Sequence, residues 1–117
     1  MWRSVLSGTR GFVLWQKAED FTEYLFPIID RFPKHEKFAL CSQIKNTCYE
    51  VLKLIIRTNK SRQKTPGLYE IDTQLEMLRW LIRHSHRRKY LSHHSYETDA
   101  KRVDELGCIV GGLLKGS

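Results

Sequence analysis

Four stretches of this chain repeat apolar residues every three or four positions, and short polar breaks separate them. That spacing is the helical period, and no segment shows a convincing alternation of two. Leu14, Ala18, Phe21, Leu25, Ile28, Ile29 and Phe32 form the first stripe and predict a helix from about Phe12 to Phe32. Pro27 falls inside it, where a missing amide and a steric clash predict a kink or a restart, and Pro33 stops the pattern. The second seam is Phe38, Cys41, Ile44, Cys48, Val51, Leu52 and Ile55, on a helix that starts near Pro33 or Lys34 and fades into Asn59–Lys64. Thr65-Pro66 then reads as a helix start, with the threonine hydroxyl as cap, and Leu68, Ile71, Leu75, Leu78 and Ile82 face inward. Ser92 is the expected cap of the last helix, whose stripe is Tyr96, Ala100, Val103, Leu106, Val110 and Leu113 or Leu114.

Short connections make sequential helices antiparallel neighbours. The expected fold is therefore all-α, an up-down-up-down four-helix bundle. At 117 residues the chain is one domain with a modest core, so assembly with copies of itself is expected. Residues 12–117 hold the bundle, while residues 1–11, with two glycines and no period, read as a flexible N-terminal extension.

The charge is concentrated. Lys53 to Lys89 holds ten Lys/Arg and three Asp/Glu, a formal +7, and the remainder of the chain balances to zero. On the second helix Lys53, Arg57, Lys60 and Lys64 recur at four, three and four, with Arg62 among them. On the third, Arg79, Arg83 and Arg87 lie along one side, followed by Arg88 and Lys89. Glu70, Asp72 and Glu76 come early in that helix and the arginines late, the order its dipole favours, and Glu76 is placed to pair with Arg79. The reading is a positive surface shared by two adjacent helices and facing a polyanion or an acidic protein. Arginine's planar fork suits phosphate oxygens, and no sequence-reading motif is present, so contacts to the backbone rather than to bases are expected. Trp80 and Tyr90 flank this surface and are expected to pack rather than to stack on a base.

Other chemistries fit poorly. Cys41, Cys48 and Cys108 fall on apolar helix faces and read as reduced core thiols. His84, His86, His93 and His94 cluster, but His84 and His86 point to different sides of a helix, so a pH-sensitive addition to the positive surface is a better reading than a metal site. A Cys41 or Cys48 nucleophile with His35 or His94 as base has nothing to orient it. Helices 3 and 4 lack the Glu-x-x-His of di-metal bundles, and there is no Gly-rich phosphate loop. No enzyme activity, metal or cofactor is expected. No apolar run approaches a membrane span, and MWRSVLSGTRGFVLW is not a convincing signal peptide, so a cytoplasmic location is expected. Gly107, Gly111 and Gly112 weaken the last helix; they mark either a fraying end or close approach to another helix or subunit.

Beyond this reading, the run YLFPIIDRFPKHEKFAL (Tyr24 to Leu40) resembles a family of small four-helix bundles. That family includes the accessory variability determinant (Avd) proteins of diversity-generating retroelements and the proteins encoded in ribosomal RNA intervening sequences. The likeness continues through Asn59-Lys60, Leu68-Tyr69-Glu70-Ile71-Asp72, LEMLRWLIR (Leu75 to Arg83), Tyr90-Leu91-Ser92, Tyr96 and DELGCIVGGLLK (Asp104 to Lys115). It spans about Trp15 to Lys115. The resemblance implies a homopentameric barrel without catalytic activity. It also implies association with the retroelement reverse transcriptase and with RNA or DNA, in support of cDNA synthesis and mutagenic retrohoming. Lys53, Arg57, Lys60, Arg79, Arg83, Arg87 and Arg88 match the family's basic positions, and Gly107, Gly111 and Gly112 match its fourth helix, which favours close packing there. For the intervening-sequence branch, or for an adaptor bundle docking an acidic protein, no nucleic acid need be involved.

Overall fold

A computed structural model describes residues 8–116, with side chains from Arg10 onward. It shows four helices: α1 (Gly8–Ile29), α2 (Leu40–Lys60), α3 (Thr65–Arg87) and α4 (His93–Gly116), with one 3₁₀ turn, Lys34–Glu36, between α1 and α2. Each helix packs on its neighbours in sequence, and α1 against α4 closes the four into a bundle whose longest extent is 42 Å. The fold is the expected all-α four-helix bundle.

The stripes read from the sequence form its core. Leu14, Ala18, Phe21, Leu25, Ile29 and Phe32 are buried from the α1 side, and Leu68, Ile71, Leu75, Leu78 and Ile82 from α3. Cys41, Ile44, Cys48, Val51 and Ile55 of α2 meet Val103, Leu106 and Val110 of α4 in the same cluster. Ser92 caps α4 as expected, its hydroxyl accepting from the Ser95 amide at 3.1 Å.

The ends of the helices differ from expectation. α1 begins at Gly8, so residues 8–11 are helical; the rest of the proposed extension lies outside the described residues. α1 runs through Pro27 and stops at Ile29, so the proline sits in the last turn, where few ladder bonds remain to lose. α2 starts at Leu40 rather than near Pro33, because the chain first makes the 3₁₀ turn and leaves it through Ala39 at φ −119°, ψ −98°. Phe38 is consequently outside α2, and instead of joining the seam it is 88% exposed. Thr65 is the first residue of α3, and Lys64 holds the position before it, without a side-chain cap bond of its own. Cys108 is exposed on α4 rather than buried.

Two contacts inside the bundle carry consequences. A Cβ on Gly67 would fall 2.0 Å from Thr58 Oγ1 and 2.9 Å from Thr58 Cβ, so the bare glycine lets α3 approach α2 and fixes their register. Asp99, which the apolar stripe of α4 did not include, is fully buried, and neither carboxylate oxygen has a hydrogen-bond partner. Burial pushes its carboxyl up to about 7, with Arg102 pulling weakly the other way.

Gly67→Ala should therefore destabilise the fold by about 1–3 kcal/mol, read as a lower urea midpoint, because the new methyl meets a side chain close to its own backbone. Asp99 should make stability fall with rising pH. The unfolded chain ionises this carboxyl at its ordinary 3.8, whereas the folded chain holds the proton until about 7. Across that window the penalty grows by about 1.4 kcal/mol per pH unit, and above it the penalty is constant. Urea denaturation at several pH values should show this slope in the wild type and its loss in Asp99→Asn.

Candidate nucleic-acid interface

The antiparallel turn between α2 and α3 decides where the basic residues go. Thr58 lies against Gly67, so the basic end of α2 sits beside the first turn of α3. Arg87 is twenty residues beyond Gly67 on α3, a rise of about 30 Å. Lys53, Arg57, Lys60 and Arg62 thus occupy one end of the bundle, and Arg83, Arg87, Arg88 and Lys89 the other. The single surface expected from their adjacency in sequence is divided in two by the hairpin.

Two of the expected cations are also engaged. Lys64 Nζ donates to the carbonyls of Asn59 at 2.8 Å and Ser61 at 2.5 Å, satisfying the open end of α2. Arg79 donates to Asp104 Oδ1 of α4 from Nε at 2.9 Å and also pairs with Glu76. A Cβ on Gly107 would stand 2.7 Å from the Arg79 guanidinium, so that glycine leaves room for an α3–α4 ion pair. Gly112 is approached in the same way by Arg10 of α1, at 2.9 Å. A Cβ on Gly111 would meet nothing within 4 Å, so close packing within the chain does not explain all three glycines. Arg79, and Lys17 with Glu105 at 3.0 Å, put paired charge at the waist of the bundle.

The far end gathers more positive charge than its own segment carries. Tyr90 OH donates to Glu36 Oε2 at 2.9 Å, and its ring packs on Phe32 with centroids 5.3 Å apart. These contacts join the α3–α4 connection to the α1–α2 connection. Arg31, Lys34 and Lys37 thereby share an end with Arg83, Arg87, Arg88 and Lys89, and all seven are exposed. None of the seven has a carboxylate within ion-pair distance among the described residues; Asp30 is held by Lys45 at 2.5 Å, and Glu36 is bound to Tyr90. Distance along the chain hid this grouping: some fifty residues separate Lys34 and Lys37 from the arginines of α3, and the contacts of Tyr90 with Glu36 and Phe32 reveal the proximity.

The backbone at this end is well defined. α3 finishes with the Lys89 amide bonded to the His86 carbonyl and the Tyr90 amide to the Ser85 carbonyl, both at 2.9 Å. Lys89 takes the left-handed conformation that this ending requires, at φ 66°. All five histidines are here. His86 stacks on Tyr96 at 4.4 Å and lies 5.7 Å from His93, whose Nε2 is 3.4 Å from Glu97. His84 turns the other way and stacks on Trp80 at 4.8 Å, so the pair two residues apart does diverge. Trp80 is 44% exposed, whereas Tyr90 is half-buried as a packing residue. No group of three or more His, Cys, Asp or Glu among the described residues could hold a metal ion. Burial raises the Cys48 thiol to about 12 and raises Cys41 as well, which keeps both protonated and unreactive. No helix among the described residues is long and apolar enough to cross a membrane.

The fold and surface define a class: a small four-helix bundle with exposed cations at both ends and paired charges between them. The bAvd-like family model matches residues 12–117, and the chain belongs to that family. Membership supports a general accessory, nucleic-acid-binding role on a fold that is generally non-catalytic. No curated protein matches the chain.

Glu36 supplies a check on the contact that joins the two connections. Chiefly the Tyr90 hydroxyl, opposed by burial and helped by the Leu40 amide, holds its carboxyl below the ordinary 4.5. A lowered carboxyl contributes stability above its ordinary pKa that is lost as pH falls through the folded value. Tyr90→Phe should shift the Glu36 titration upward toward the ordinary value, as followed by NMR of its side-chain carboxyl.

Proposed function

We propose that this protein is a non-catalytic accessory factor of a diversity-generating retroelement. It binds the element's RNA or cDNA, associates with the reverse transcriptase, and supports cDNA synthesis and mutagenic retrohoming. The observation that carries this reading is the unneutralised cationic end made by Arg31, Lys34, Lys37 and the Arg83–Lys89 segment. Exposed guanidinium and ammonium groups without carboxylate partners leave their charge for an external polyanion. Membership in the bAvd-like family favours the retroelement over the ribosomal intervening-sequence branch.

Assembly as a homopentameric barrel is part of the proposal. If the helices run along the ring axis, each end becomes a repeated basic rim, and weak phosphate contacts multiply with subunit number. Gly111, with open space beside it, is then available for close approach by another copy. A cytoplasmic location follows from work on a retroelement transcript.

The test is RNA binding across a salt series. Wild-type affinity should fall steeply with salt, since each neutralised phosphate releases counterions. Arg83→Glu with Arg87→Glu should weaken binding and flatten the log–log slope by roughly 0.7–0.9 for each phosphate that is no longer neutralised. Lys64→Gln should perturb the α2–α3 connection with less effect on that slope. Affinity indifferent to salt would refute the reading. Pull-down of the reverse transcriptase from nuclease-treated extract separates direct association from bridging by RNA.

A further inference from the structure

Phe38 is the most exposed large apolar side chain among the described residues, at 88%, and nothing in the core of this chain requires it there. The corner that presents it is well anchored. The 3₁₀ turn Lys34–Glu36 precedes it, the Lys37 amide bonds to the Lys34 carbonyl at 3.1 Å, and the Ala39 amide bonds to the Glu36 carbonyl at 3.1 Å. Glu36 is in turn held by Tyr90. Phe38 is thus an aromatic ring projected from a fixed turn.

Its surroundings are cationic. Lys37 Nζ lies 5.4 Å from the ring centroid, and Lys34 and Lys37 border an adjoining cleft of about 330 Å³ lined also by Ile29, Phe32, Pro33 and the paired Asp30 and Lys45. A protein-binding hot spot is ringed by residues that exclude water. Here the sequence neighbours His35, Lys37 and Ala39 are themselves exposed, and the end carries a like-charged field that opposes a second copy docking face to face. An exposed ring among ammonium groups instead suits an unpaired base, with the flanking phosphates on the lysines. A base paired in a duplex is stacked on its neighbours and gives no free face to such a ring.

We infer that the corner Lys34–Phe38 is a docking site for single-stranded nucleic acid, with Phe38 as the stacking platform and Lys34 and Lys37 as phosphate contacts. The inference rests on the nucleic-acid reading above and deepens it: one end of the bundle distinguishes unpaired from paired strands.

Binding of wild type, Phe38→Ala and Phe38→Trp to a short oligouridylate and to an RNA duplex of equal length tests it, with sedimentation and thermal melting of each variant. Phe38→Ala should lower affinity for the oligouridylate roughly 5- to 100-fold and leave duplex affinity unchanged. Phe38→Trp should retain single-strand affinity, and its added emission should be quenched as oligouridylate is titrated in. Because the side chain is exposed, both variants should melt as the wild type does. Equal single-strand affinity of Phe38→Ala and wild type, with salt-dependent binding intact, overturns the inference and leaves the proposed function standing. A change of sedimenting mass in Phe38→Ala overturns it by making Phe38 a contact between copies. Failure of the wild type to bind either probe removes the underlying reading and the inference with it.

Discussion

Everything about this surface follows from the reversal of the chain between α2 and α3. Four residues separate Lys60 from Thr65, too few for anything but an antiparallel return. Lys64 closes the turn by bonding the Asn59 carbonyl of α2 and that of Ser61 just beyond it, and Gly67 lets the two helices come together at Thr58. Once that register is set, residues adjacent in sequence across the turn share one end, and those later in α3 are carried to the other. The positive charge concentrated between Lys53 and Lys89 becomes two separate basic regions in space.

The same geometry relieves a cost. Ten Lys/Arg on one continuous surface would repel one another over distances shorter than the roughly 8–10 Å screening length of physiological salt. Splitting them between the ends, and pairing Arg79 with Asp104 and Glu76 at the waist, reduces that repulsion without removing cations from solvent. The end that carries Arg83–Lys89 remains positive because two carboxylates there are otherwise occupied: Asp30 by Lys45 and Glu36 by Tyr90. Glu36 has a further role, since the hydrogen bond that occupies it also ties the two connections together. The chemistry of the cationic end and the packing of its backbone therefore rest on the same side chain.

Helix number, order and core were legible because burial imposes a period that apolar residues must obey. Leu68, Ile71, Leu75, Leu78 and Ile82 had no alternative to the interior, and all are buried. Phe38 fitted the α2 period equally well and yet lies outside. Periodicity reports which residues would share a face if the helix existed, and the 3₁₀ turn and Ala39 delay that helix to Leu40. The paired state of Arg79 was half legible: Glu76, three residues away, was visible, but Asp104 comes from α4 and depends on helix register. Lys34 and Lys37 were missed for a related reason. Their partners in the cationic end are distant in sequence, and no local pattern encodes a contact such as Tyr90 to Glu36.

Asp99 shows the opposite limit, a polar residue that the helical period places inside and that chemistry would keep out. It lies four residues before Val103 and so on the same face, and burial makes the neutral acid the state the core tolerates best. Its charge is close enough to Cys48 of α2 to raise that thiol further. Acidification below about 7 therefore removes a destabilising negative charge from the core, and the bundle is favoured on the acidic side of neutrality. That response arises in the interior, apart from the cationic ends that face solvent.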